Sequence, residues 1–168
     1  ALAAGAAALP AAPDEPDSRM AAALVVYGAT PGGIACAVAA ARLGRRVLVC
    51  DHYDHIGGIV SNGLTNADIG KRQAVGGIFH EFTRRVVRHY LQVDAGAPAQ
   101  PNVKLCRQGY WYEAGAAERI FHQMIAEQGD RIRLLTGHEI VAAVVVKGRL
   151  EAAVARNLST GARVRLEA

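Results

Sequence analysis

The residues best placed to do chemistry in this sequence lie between Gly28 and Asp51. Gly28-Ala29-Thr30-Pro31-Gly32-Gly33 is a glycine-rich turn, and Asp51 follows its last glycine by 18 residues. A turn of this kind opening a helix presents unpaired N–H groups at the positive end of the helix dipole, where a phosphate binds. The dipole itself contributes only about 0.3–1 kcal/mol. Charge-assisted hydrogen bonds from the turn amides supply the rest. A carboxylate at the end of the next strand accepts hydrogen bonds from ribose hydroxyls and repels a 2′-phosphate. Turn and acid together therefore point to a dinucleotide. Arg45 and Arg46 precede the second strand and sit at its far end, so NADP is disfavoured.

The turn departs from the usual glycine fingerprint, which has glycine where Thr30 stands. The departure keeps the physics. Thr is a good N-cap, and Pro suits the first helical position, where its missing N–H costs nothing. Gly32 and Gly33 are then expected to offer free N–H groups at the helix start. Gly28 permits the sharp exit from the strand. Gly33 lets the helix sit close to the sheet.

The supporting elements follow from periodicity. Leu24–Tyr27 and Val47–Cys50 are continuous apolar runs, as buried parallel strands are. A helix is expected from Pro31 to about Leu43, ended by Gly44. After Asp51 the passage to Asp68 has turn chemistry without sustained periodicity. Two amphipathic helices come next. The first has Ile78, Phe79, Phe82, Val86 and Tyr90 on one face, with Arg84, Arg85 and Arg88 on a solvated flank. The second turns Ile120, Phe121, Met124 and Ile125 inward and stops at Gly129. Ile132–Leu135 reads as a third buried strand. Three further strands follow, with turns at Lys147-Gly148 and Ser159-Thr160-Gly161, forming an antiparallel meander. The expected fold class is α/β: a Rossmann-like arrangement of parallel strands with an antiparallel β-meander.

Composition narrows the function classes. The chain has 168 residues, 51% hydrophobic and 20% charged, with a net charge of +4. Its Lys and Arg residues are dispersed, without a basic block interleaved with aromatics, so a nucleic-acid partner is not expected. No run is long and apolar enough to span a bilayer. Cys36, Cys50 and Cys106 are far apart, and no metal site is expected. Cys36 and Cys50 read as buried thiols. The six histidines lack metal-binding spacing, and no catalytic residue is assigned. Residues 1–20 are Ala- and Pro-rich and are expected to be a disordered leader or the remnant of an export signal. The location is accordingly cytoplasmic or exported, and the domain proper is expected over 21–168.

The segment from His55 to Asp68 sharpens the cofactor. The residues "VVYGATPGGIACAVAA", Asp51, Gly57-Gly58, Ser61-Asn62-Gly63-Leu64 and Asp68 resemble the bacterial FAD-dependent oxidoreductases of glutathione-reductase-like architecture. The stretches "IGKRQAVGGIFHEFTRRV" and "YWYEAGAAERIFHQMI" are similar too. The resemblance runs from Leu24 onward and implies FAD as cofactor. It implies Gly28, Ala29, Thr30, Pro31, Gly32 and Gly33 at the pyrophosphate and Asp51, beside His52, at the adenosine ribose. It places Gly57, Gly58 and Ser61 along the pyrophosphate and ribityl chain, and the backbone of Ile140 near the adenine. It also implies a three-layer FAD/NAD(P)-binding domain, incomplete at its C-terminus, as the N-terminal fragment of a longer enzyme acting on a small-molecule substrate. Two other readings stand beside it: an NAD-binding dehydrogenase domain, and a nucleotide-binding module without catalysis.

Overall fold

The computed structural model describes residues 16–168. Its first strand, β1 (Ser18–Ala21), is followed by β2 (Leu24–Tyr27), helix α1 (Pro31–Arg42) and β3 (Val47–Cys50). A short helix α2 (Gly58–Ser61) leads through a 3-10 turn at Arg72–Ala74 to α3 (Gly77–Val93). The short α4 (Pro101–Leu105) and a 3-10 turn at Arg107–Gly109 precede α5 (Ala114–Ala126). The chain then forms β4 (Ile132–Leu135), β5 (His138–Val146), β6 (Arg149–Asn157) and β7 (Arg163–Glu167).

Strands β2, β3 and β4 form a parallel sheet in the order β2-β3-β4. Strand β3 is buried along its whole length and feeds two cores through alternate residues. Val47 and Val49 face the helices, where Ile34, Ala37, Val38 and Ala41 of α1 meet Phe82 and Val86 of α3 and Phe121 and Met124 of α5. The α1 residues follow the i, i+3, i+4, i+7 stripe of a helix with one buried face. Leu48 and Cys50 face the other way, onto Ala155, Val164 and Leu166 of the meander. The arrangement is three-layered: helices, parallel sheet, meander.

The helix layer is also tied by charge. Glu81 of α3 accepts hydrogen bonds from Arg42 of α1 at 2.6 and 2.9 Å and from Arg85 at 2.6 and 3.0 Å. Arg85 reaches on to Glu127, just after α5, at 2.5 Å. The Arg42 guanidinium, and then burial opposed by Arg85, set the Glu81 carboxyl, which ends lowered to about 2.

Three expectations are corrected. The leader boundary at residue 20 is too late: β1 pairs in parallel with β7, and Ala22 donates to the Glu167 carbonyl at 3.0 Å. That pairing is between the two ends of the sequence, so no local pattern announces it. The rest of the leader, residues 1–15, lies outside the described residues. Cys36 is exposed, not buried. It stands two residues past Ile34, off the buried stripe of α1. Arg85 is not on a solvated flank: its side chain is 14% exposed and bridges α3 to the end of α5. The helices at α2 and α4 are also additions, each too short to leave a periodic signal.

Candidate functional site

The candidate site lies where β2 ends and α1 begins. Thr30 is the N-cap, with φ −70° and ψ 169°, and its Oγ1 accepts from Gly33 N at 3.2 Å. Pro31 occupies the first helical turn, as the Thr-Pro pair predicts. One expectation is revised here: Gly33 N–H is taken by the Thr30 hydroxyl. Among the described residues the N–H groups of Thr30 and Gly32 have no acceptor, so these are the amides of the turn left free for a ligand.

Gly33 is dictated by close approach. A Cβ there would overlap the Gly28 carbonyl oxygen and lie 3.3 Å from Val26 Cγ1. Gly28 itself has φ +106°, which a side chain resists, and its N–H donates to the Cys50 carbonyl at 2.8 Å. The turn is thereby bolted to the end of β3.

Asp51 completes that junction and is 9% exposed. Its Oδ2 accepts a short hydrogen bond from Ala29 N–H, and its Oδ1 accepts from Tyr53 N–H at 2.8 Å. An ionised carboxylate offers about four lone-pair positions, so two remain. Asp51 thus shapes the turn as well as facing it. Its charge also acts on Cys50: burial first, then Asp51, pushes that thiol up to about 11.

The Gly57-Gly58 loop comes to the same place. Gly57 N–H donates to the Ala29 carbonyl at 2.7 Å. The missing Cβ of Gly58 would lie 3.4 Å from Pro31 Cδ and 3.6 Å from Thr30 Cα, so its backbone runs directly against the Thr-Pro cap. This loop is pinned from behind by His55. Its Nε2 meets the Ser61 carbonyl at 2.8 Å and its Nδ1 meets Glu118 of α5 at 2.8 Å. That pin was not legible in the sequence, because Glu118 is remote along the chain.

Three other expected site residues stand apart. Ser61 is buried, and its hydroxyl donates to the Ile56 carbonyl within its own loop. It holds the loop's shape with an internal hydrogen bond. His52 rests edge-on against Tyr53, 4.7 Å between ring centres. Ile140 packs on the meander core with Leu48 and Cys50, on the sheet face opposite α1. Its strand is nevertheless anchored beside the acid, since His138 N–H donates to the Asp51 carbonyl at 2.9 Å.

These features fit the pyrophosphate and ribose of a dinucleotide: unpaired amides at a helix start, glycines at the closest backbone approaches, and an acid with spare acceptor capacity. The sequence matches the family described as FAD dependent oxidoreductase over residues 23–168. The chain belongs to that family. A search of curated proteins finds no match. Among solved structures the chain is similar to 3-ketosteroid-Δ4-(5α)-dehydrogenase from Rhodococcus jostii, with 18% identity and a TM-score of 0.54, covering 92% of this chain and 45% of that one. It is similar to THI4 of Thermovibrio ammonificans, with 15% identity, a TM-score of 0.53, and 88% and 54% of the two chains covered. A flavocytochrome c3 fumarate reductase matches with 17% identity, a TM-score of 0.54, and 90% and 32% covered. At these identities the likeness is one of fold, and the expected α/β class is borne out. The chain spans about half or less of the length of these structures. No helix among the described residues is long and apolar enough to cross a membrane.

Proposed function

We propose that this chain is the dinucleotide-holding part of an FAD-dependent oxidoreductase, with the FAD pyrophosphate at the start of α1 and the adenosine ribose at Asp51. The observation that carries this reading is the convergence of three segments on Ala29. Its N–H is held by Asp51, its carbonyl by Gly57 N–H, and the next residue caps α1. A turn over-determined in this way is held in shape before any ligand arrives, which lowers the ordering cost of binding.

When bound, the flavin supplies the redox chemistry, and the protein supplies orientation and electrostatics. The roles of this chain's residues follow from their positions. Gly32 N–H and the α1 dipole meet phosphate charge. Gly33 lets α1 begin close against β2, and Gly58 lets its loop lie against the Thr-Pro cap. The unused lone pairs of Asp51 accept from ribose hydroxyls, and its charge rejects a 2′-phosphate.

The test is purification of the full-length protein, followed by denaturation and identification of released flavin, with titration of FAD and NAD against the apoprotein. FAD release and preferential FAD binding are expected. NAD binding without FAD binding would transfer the site to a nicotinamide cofactor. Thr30→Arg, which puts a long side chain at the cap, should abolish flavin retention.

A further inference from the structure

We propose that the cavity between α3, α4 and the Arg72 and Arg107 turns binds a small organic acid, its carboxylate held by arginine and its carbon stem by an apolar wall. The cavity has a volume of about 770 Å³ and lies away from the glycine turn and the Gly57-Gly58 loop. That volume is within the range of small-molecule sites.

The charge inside it is one-sided. Arg72, His80 and Arg84 line the cavity, and no carboxylate does. The Arg72 guanidinium sits 4.1 Å above the Tyr110 ring, and its Nη1 donates to Gln108 Oε1 at 3.3 Å. Neither Arg72 nor Arg84 forms an ion pair with any described residue. The contrast along α3 is direct. Arg85 is matched by Glu81 and Glu127, while the adjacent Arg84 faces the cavity unmatched.

The rest of the lining includes an apolar wall, built from Val87, Val103 and Tyr110. A bare inorganic anion would leave it unused. A guanidinium fork matches a planar carboxylate, and the wall matches the attached carbons.

The backbone around the cavity is held in an unusual form. Arg107 and Gln108 have φ of 45° and 65°, in the left-handed region. The following Gly109 has φ +87° and lies so close to α3 that a Cβ would overlap the Thr83 carbonyl. This bend delivers the Gln108 carboxamide to Arg72. Residues held in such conformations cluster at ligand sites.

The test is calorimetry on the full-length, flavin-loaded protein with three probes: hexanoate, the neutral hexanamide and inorganic phosphate. Hexanoate should bind, and hexanamide and phosphate should each bind about tenfold more weakly or worse. Arg84→Gln, at an exposed unpaired position, should weaken hexanoate about tenfold. Arg72→Lys, which keeps the charge and loses the fork, should weaken it as well. Flavin content should stay the same in both variants, so failure here is separable from failure of the flavin reading. No binding of hexanoate, equal binding of hexanamide or phosphate, or an unchanged affinity in Arg84→Gln would each overturn the proposal.

Discussion

Gly33→Ala is the sharpest probe of the turn. The added Cβ would overlap the Gly28 carbonyl oxygen and lie 3.2 Å from the Gly28 carbonyl carbon. These are backbone atoms, so they cannot rotate aside. Gly28 cannot retreat easily either, because its N–H is bound to the Cys50 carbonyl at 2.8 Å. The start of α1 must therefore lift away from β2. Overpacking of this kind costs about 1–3 kcal/mol. Alanine's better helix propensity returns at most about 1 kcal/mol. A net loss of about 1–2 kcal/mol lowers the melting temperature of a domain this size by roughly 2–8 °C. The lifted helix also displaces Gly32 N–H, the amide proposed to meet the phosphate. If most of the strain is released only without cofactor, FAD affinity falls by about tenfold or more, at ~1.4 kcal/mol per decade. The control is Gly32→Ala, whose Cβ would find only Thr30 Oγ1 at 3.9 Å. Its melting temperature should match or exceed that of the wild type. Thermal denaturation and flavin release, measured on both variants of the full-length protein, decide the matter. Equal melting temperature and equal flavin content in Gly33→Ala and wild type would refute the close-approach argument.

Three further outcomes are expected. Asp51→Ala leaves the Ala29 N–H buried without its acceptor, so it should destabilise even the apoprotein by about 1–3 kcal/mol, read by chemical denaturation, whereas Asp51→Asn keeps one acceptor and should lose less. Glu81 has a folded value near 2 against 4.5 for the free group, held down first by Arg42. A depressed carboxylate stabilises fully above its unfolded value and less as pH falls toward its folded one. Glu81→Gln should therefore cost about 1 kcal/mol at neutral pH, and its stability should approach that of the wild type as pH falls from 4.5 toward 2. Thiol labelling of the native protein near neutral pH should modify Cys36 first, since it is exposed, while the buried Cys50, raised to about 11, reacts only on unfolding. Rapid native labelling of Cys50 would contradict its burial.

What was legible in the sequence is what local chemistry dictates. Thr30 caps and Pro31 starts a helix whatever the fold around them, and Gly44 ends it with φ +78°. The Lys147-Gly148 turn, both residues at positive φ, is equally local. What was not legible depends on partners distant in sequence. The pairing of β1 with β7, the Arg85 bridge to Glu127 and the His55 pin to Glu118 each join remote segments. Ser61 is a local case, five residues from its partner Ile56. Its type suits a cofactor contact, but the tight turn from Ile56 brings a carbonyl to its hydroxyl first.

The geometry also changes the meaning of the Thr-Pro substitution in the glycine turn. Pro31 has no N–H, and the Thr30 hydroxyl consumes that of Gly33, so this turn offers fewer free amides than its glycine content suggests. Fewer donors place more weight on their orientation. Orientation is what the surroundings supply: Ala29, 1% exposed, is gripped through its N–H by Asp51 and through its carbonyl by Gly57. The acid after β3 and the glycine pair that follows it therefore act on the turn together. Thr-Pro, the carboxylate and Gly57-Gly58 make one mechanical unit, in which the lost amides are offset by rigidity. On this view the three motifs belong together because each closes a hydrogen bond or a contact that the other two leave open.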